Sequence, residues 1–395
     1  MNRALRAGRL ATFVYFALNG FVLGLWVVHI PAVEHRTGIG HALLGWLLLL
    51  LGGGAFAGMQ LAGPLTDRFG ARRVVPVSAL LCSAALILPG TATGPWALGG
   101  ALLVLGAANG FLDVSMNTHA VQVERAYARP VMSAFHAVFS LGGVAAALVG
   151  ARTLSWGWSP AVTLPVMSVL GMAVALAAAP ALLRPEPAEA EAPDAPEAAR
   201  RRTPRRIWLL GVLAFALMLC EGVANDWSAL HLRDVLDASP GVAALSFGAF
   251  ATAMTVGRFL TDGVAGRMGA LFVLRYGALL AAAGWALAAA SPGIPLAITG
   301  WAIAGLGLSG CIPQLFSAAG HADPDAAGTN VSRVAGLGYL GMLAGPAVIG
   351  PLAELVPLNV TFLLPLALCL AAAVSAPIVR GPSAAERREP QAQPS

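Results

Sequence analysis

Hydrophobic positions in this chain come in long, nearly continuous runs separated by short polar stretches. Twelve runs stand out, at roughly 10–31, 41–66, 74–90, 96–123, 131–151, 160–183, 207–232, 241–261, 272–290, 294–319, 330–353 and 358–379. About 20 consecutive apolar residues cross a bilayer as a helix. A transmembrane barrel would show segments of ~10 residues with alternating polarity, and these runs are too long and continuous for that. Several hold Gly or Pro, which membrane helices tolerate because neighbouring helices and side chains satisfy the freed backbone groups. The pattern predicts an all-α membrane protein with twelve transmembrane helices.

Composition agrees: the 395 residues are 57% hydrophobic and only 11% charged, with a mean hydropathy of +0.75, too apolar for an ordinary soluble domain. The first run follows Arg3, Arg6 and Arg9 but is longer than the ~7–15 residues of a signal core. No small-residue cleavage site follows it, so it reads as a retained first helix. All 24 basic residues are arginine. With an even number of spans and the N-terminus inside, only Arg36, Arg152 and Arg233 fall on the outer side. Cytoplasmic loops collect basic residues, so both termini are expected in the cytoplasm, with the protein in the plasma (inner) membrane. The pI of about 9.5 therefore needs no nucleic-acid partner. Cys82, Cys220, Cys311 and Cys369 all fall within runs without metal-ligand spacing and read as small buried apolar residues.

Residues 184–206 interrupt the apolar pattern with alternating Pro and Ala, five acids, then five arginines. This is the composition of a flexible solvated linker. It separates a six-helix bundle, 1–183, from a second, 207–380, followed by a disordered cytoplasmic tail, 381–395. The most charged turn, Gly63-Pro64-Leu65-Thr66-Asp67-Arg68-Phe69-Gly70-Ala71-Arg72-Arg73, lies between the second and third runs. A weaker copy runs from Arg258 to Arg267. Thr66 and Thr261, Asp67 and Asp262, and Arg72 and Arg267 are equally spaced, about half the chain apart. One signature in two registers suggests two similar halves related by an axis along the membrane normal.

At Gly63, Asp67, Arg68, Gly70, Arg72 and Arg73 the charged turn resembles the loop between helices two and three of the major facilitator superfamily. The resemblance extends over nearly the whole chain, through the twelve spans and central linker, and implies two pseudo-symmetric six-helix bundles of the major facilitator fold. A narrower resemblance lies in FLDVSMN at 111–117 and in Met132 to Gly143, which are similar to the fucose-permease-like branch of proton–sugar symporters. In that branch an acid and an Asn four positions later lie on helix four, matched here by Asp113 and Asn117. That branch also carries an Asp on helix one, whereas residues 13–31 contain no acid. In the superfamily the charged turn ties the halves together on the cytoplasmic side, which implies conformational gating by Gly63, Asp67, Arg68, Gly70, Arg72 and Arg73, with Asp262 and Arg267 as their counterparts.

Helical spacing collects the candidate polar residues into stripes. Asn109, Asp113 and Asn117 share one face of the fourth span; Tyr15, Asn19, Val22, Trp26 and His29 share one of the first. Glu221, Asn225 and Ser228 do so on the seventh, with Asp226 and Trp227 adjacent. Gln314 and Ser317 follow Pro313, where a break could expose carbonyls. An ionisable group at the bilayer centre costs about 2.5–3.5 kcal/mol on insertion scales, so it normally faces a cavity or a partner. Asp113 is thus the first candidate for proton coupling, with Glu221 assisting. His136 could share a proton with Asp113 or simply pack. Asp226 could serve function or pair with Arg233. Trp26 and Trp227 could stack on a sugar ring or anchor helix ends at the interface. The charged turn has its own physical reading, with Asp67 accepting bonds at a helix N-terminus or pairing with Arg72.

The expected function is transport by alternating access of a small polar solute, a sugar or related metabolite, in symport with protons. The expected partners are a small-molecule substrate, protons and the lipid bilayer, with the chain acting as a monomer. Proton-coupled efflux of a drug or metabolite is the alternative, and a non-transporting membrane sensor the second. No nucleotide-binding loop, paired metal site or nucleophile–base constellation is present, so no enzyme activity, cofactor or metal is expected.

Overall fold

Inside a bilayer the backbone has no water to bond, so an apolar run satisfies its own N–H and C=O groups by coiling into a helix. The computed structural model describes residues 3–39, 41–184 and 204–380; most of the expected linker (185–203) and the expected tail (381–395) lie outside the described residues. In the first half the spans are α1 (Arg3–Thr37), α2 (His41–Phe69), α3 with α4 (Ala71–Ala85 and Ile87–Thr91), α5 (Pro95–Tyr127), α6 (Met132–Ser155) and α7 (Pro160–Ala178). The second half comprises α8 (Arg205–Val235), α9 (Pro240–Met268), α10 (Ala270–Ala290), α11 with α12 (Ile294–Leu308 and Cys311–Ala322), α13 (Ala327–Leu355) and α14 with α15 (Leu358–Thr361 and Leu363–Ser375). Short 3-10 turns end α7 and α15. Over the described residues, eleven of these twelve spans are long and apolar enough to cross a membrane. The remaining one, α9, has 29 residues and carries Arg258, Asp262 and Arg267 in its second half.

Three spans are broken, each just ahead of a proline. The α3/α4 break at Leu86 precedes Pro89, the α11/α12 break at Ser309 and Gly310 precedes Pro313, and the α14/α15 break at Phe362 precedes Pro365. Proline lacks the N–H that would bond four residues back and its ring crowds that carbonyl, so the helix parts there. Other prolines, such as Pro64 and Pro76, are accommodated within unbroken helices.

Glycine sets how closely the spans approach. A Cβ on Gly58 or Gly110 would strike the carbonyl oxygen of Ala107 or Ala55, so α2 and α5 pack backbone against backbone. In the second half, Gly222 and Gly341 bring α8 and α13 together in the same way. This is van der Waals packing through small residues, the main source of helix association where lipid removes the hydrophobic drive. Two cores result, one drawn mostly from residues 11–182 and the other mostly from 207–379. Large apolar side chains such as Leu61, Leu148 and Val374 point outward, as a lipid-facing surface requires. The four cysteines are buried and free.

The halves meet through α2 with α13, α6 with α9, and α12 with α5 and α6, while α5 also touches α13. One end of the bundle carries Arg3, the α5/α6 turn, the start of α8 and the chain's last described residues; Arg206 there bonds the carbonyls of Ile378 and Val379. We call this the terminal side.

Candidate functional site

Two carboxylates latch the halves on the terminal side. A helix leaves its first N–H groups without intrahelical partners, and these attract an anion. Asp67, near the end of α2, reaches across the seam to the start of α13. Gly328 N–H donates to its Oδ1 at 2.7 Å, and Thr329 donates to its Oδ2 twice, from N–H at 2.8 Å and from Oγ1 at 2.5 Å. One turn along, Ser332 Oγ donates to Met59 carbonyl oxygen at 2.6 Å. Gly63 permits this approach, since a Cβ there would lie 2.7 Å from Ser332 Cβ. Gly70 turns the chain from α2 into α3 with φ +82°, and Gly269 turns it from α9 into α10 with φ +85°. Both are conformations that favour glycine.

The second latch reverses the direction. Asp262 of α9 accepts from Ser133 N–H at 3.0 Å and Ala134 N–H at 2.7 Å, at the start of α6. Glu124 of α5 adds to it, accepting from Val131 N–H at 2.9 Å and Met132 N–H at 3.0 Å. Two carboxylates from opposite halves thus satisfy four consecutive donors. Glu124 also accepts from Ser317 Oγ, and Arg125 donates to the carbonyl of Gly320, both on α12 of the other half. A cavity of about 830 Å³ lies below these contacts, lined in part by Glu124, Arg125, Arg129, Arg206, Gln314 and His321.

Among the expected gating residues, Arg68 rests on the ring of Phe69. Arg72 is half-buried, Arg73 is exposed, and neither guanidinium has a hydrogen-bond or ion-pair partner among the described residues. Asp67 bonds α13 rather than Arg72. Arg267 lines a smaller terminal-side cavity with Asp262 and Arg9.

The expected solute residues lie deeper. Asn117 Nδ2 donates to Asp113 carbonyl oxygen at 2.8 Å and to Asp113 Oδ1 at 3.3 Å. Asp113 is buried, and its Oδ2 has no partner among the described residues; the same holds for Oδ1 of Asn19, Asn109 and Asn117. The first-span stripe is wholly buried. Tyr15 turns away from the seam to donate to Ala175 carbonyl oxygen on α7 at 2.7 Å, and Trp26 and His29 are enclosed with it. His136 bonds Met132 carbonyl oxygen at 3.0 Å, with its ring against Phe16 and Phe316. Asn225 and Asp226 are exposed, and Trp227 Nε1 has no partner among the described residues. Arg233, weighed as the partner of Asp226, instead pairs with Asp234 at 2.6 Å. Gln314 is buried at the terminal-side cavity.

Sequence reasoning left Glu124, Arg125, Ser140 and Tyr339 unassigned, and Arg258 only as part of the weaker copy. Arg258 Nη1 donates to Ser140 Oγ at 2.8 Å across the seam, and Nη2 stands 3.6 Å from Glu221 Oε1. Tyr339 lies within Coulombic range of Asp113, Glu221 and Arg258. The only available signal was an arginine within an apolar run, which is expensive unless it has partners.

Twelve spans in two latched bundles around buried polar groups define a membrane transporter, not an enzyme. Residues 10–346 match the Major Facilitator Superfamily, and the chain belongs to that family. An uncharacterized MFS-type transporter of Yersinia pestis is 37% identical over 90% of this chain and 91% of its own length. An uncharacterized transporter of Sinorhizobium fredii is 32% identical over 92% and 96%. Membrane protein MosC of Rhizobium meliloti is 30% identical over 87% and 83%. In fold the chain is similar to the transporter FucP in its outward conformation, with a TM-score of 0.80 at 15% identity, covering 96% of this chain and all of that one. FucP is a fucose:proton symporter of E. coli. The human organic anion transporter MFSD10 is similar with a TM-score of 0.75 at 16% identity, over 96% of this chain and all of that one.

Proposed function

We propose that this protein is a secondary active transporter carrying a small polar solute, a sugar or related metabolite, in symport with protons. It works by alternating access as a monomer in the plasma membrane, with both termini cytoplasmic. The observation that carries this reading is Asp113: an acid within a membrane span, buried, held by Asn117 and with Oδ2 unpartnered. A carboxyl group in that setting is stable when it carries a proton and costly when it does not, so loading it couples the proton to the state of the site. The unpartnered oxygens of Asn109 and Asn117 on the same stripe supply acceptors for solute hydroxyls. The arginine asymmetry supports the orientation. In that orientation the latches close the cytoplasmic side and leave solute to enter from outside.

The test is uptake into proteoliposomes under an imposed proton gradient. Wild type accumulates solute and alkalinises the outer medium, while Asp113→Asn loses gradient-driven accumulation but retains solute-for-solute exchange. Wild-type accumulation in the Asn variant would refute the coupling assignment, and solute leaving against the proton flow would establish export instead.

A further inference from the structure

Arg258 lies on α9 one turn before the latch residue Asp262. Its Nη1 is occupied by Ser140 Oγ at 2.8 Å. Its Nη2 is 3.6 Å from Glu221 Oε1, an ionic contact too long for a hydrogen bond. Its Nε is buried and has no partner among the described residues. The edge without a hydrogen bond is therefore the Nε–Nη2 fork, buried at Nε and faced by Glu221 at Nη2. This is the edge that grips a carboxylate side-on through two parallel N–H···O bonds. The side chains of Arg258 and Glu221 keep 13% and 16% of their surface exposed, enough for water to reach them at the seam.

The ionisable groups around this pair come from several helices. Tyr339 of α13 is within Coulombic range of both and of Asp113 on α5. His136 of α6 lies near Arg258, and Cys311 of α12 near Glu221. Arg258 is thus an under-bonded guanidinium beside a single loosely held carboxylate. On the α5 stripe of the proposed solute site, Asn109 Oδ1 and Asp113 Oδ2 lack donors among the described residues. A wall of acceptors takes up hydroxyl donors, and a guanidinium fork takes a carboxylate.

We infer that the solute is a polyhydroxy monocarboxylate of the uronic or aldonic acid class, whose carboxylate binds Nε and Nη2 of Arg258 and displaces Glu221. This rests on the transporter reading above and narrows its solute. The released Glu221 takes up one proton from the outer water, because a carboxylate stripped of its counter-ion is unstable out of bulk solvent. No heavy-atom bond changes. Arg258 exchanges one carboxylate for another, and the proton on Glu221 balances the charge brought by the solute. The proton on Asp113 then supplies the net charge that a membrane potential drives.

Thermal melting of the purified full-length protein with D-glucuronate, D-gluconate and D-glucose tests this directly. Both acids raise the melting temperature saturably and glucose does not. Arg258→Gln weakens the response to the acids roughly 100-fold, the loss expected when one partner of a buried charge pair is removed. Arg258→Lys, which keeps the charge but loses the fork, falls between. Glu221→Gln binds the acids at least as tightly as wild type but without the proton uptake that a pH dye records in weakly buffered wild-type samples. That variant decides the matter if Arg258→Gln fails to fold. An equal shift with glucose, no shift with either acid, an unaltered Arg258→Gln response, or proton uptake persisting in Glu221→Gln would overturn the inference. Glucose accumulation abolished by Asp113→Asn would overturn it while leaving the transporter reading intact. Tight binding of the acids without flux would do the reverse.

Discussion

The two latches do the same job with different connections. Asp67 sits just before the end of α2, and its carboxylate takes all three bonds at the start of α13. Asp262 sits further inside its helix, because α9 runs on to Met268. It shares the start of α6 with Glu124, and Arg258 one turn away joins the same α6 to Glu221. The first latch is a self-contained clasp on a helix N-terminus. The second is wired into the charged groups at the centre of the protein. Two copies of one motif therefore make different connections: one is confined to the terminal side, and the other lies one turn from Arg258, which reaches Ser140 and Glu221.

The comparison breaks most severely at Asp67. Removing a charged cap and with it the bond from the Thr329 hydroxyl costs about 2 kcal/mol, roughly a 30-fold shift away from the closed state. Asp67→Ala should therefore lengthen the distance between spin labels on exposed residues 73 and 325. It should slow turnover by about 10-fold or more while solute affinity stays within a few-fold. Asp262→Ala should have a smaller effect, about 1 kcal/mol or roughly 5-fold, because Glu124 still satisfies half of the α6 donors. Adding Glu124→Gln should bring it level with Asp67→Ala, and equal single-variant effects in the label distance would show that Glu124 provides no backup. Arg72→Gln should matter least, changing turnover by less than about 2-fold, since an exposed or half-exposed charge without a partner contributes little.

The spans, their order and the break ahead of Pro313 were legible because each depends on local chemistry: apolar length, backbone satisfaction and a missing N–H. The breaks ahead of Pro89 and Pro365 were not, since Pro64 and Pro76 leave their helices unbroken. The reach of Asp67 was half legible. An acid among arginines at a helix end signals a cap, but the donors at Gly328 and Thr329 are remote in sequence and nothing local marks them. The first-span stripe marks another limit. In water a polar stripe on an apolar helix faces solvent, whereas in lipid it only faces away from the tails. Periodicity therefore grouped Tyr15, Asn19, Trp26 and His29 without distinguishing bundle interior from solute pathway, and Tyr15 bonds α7. Glu124, Arg125 and Arg258 act across the seam, and their partners appear only once the halves are set side by side.

The break between α11 and α12 has a mechanical consequence. Ser317, His321 and the carbonyl of Gly320, which engage Glu124 and Arg125, all sit on α12, a rod of 12 residues parted from α11 ahead of Pro313. A short rod joined at such a break can pivot without tilting the whole span. The annular lipids around α11 need not rearrange each time it moves, so the turnover of this transporter should depend less on bilayer stiffness and thickness than that of a rod-like neighbour obliged to sweep through the membrane.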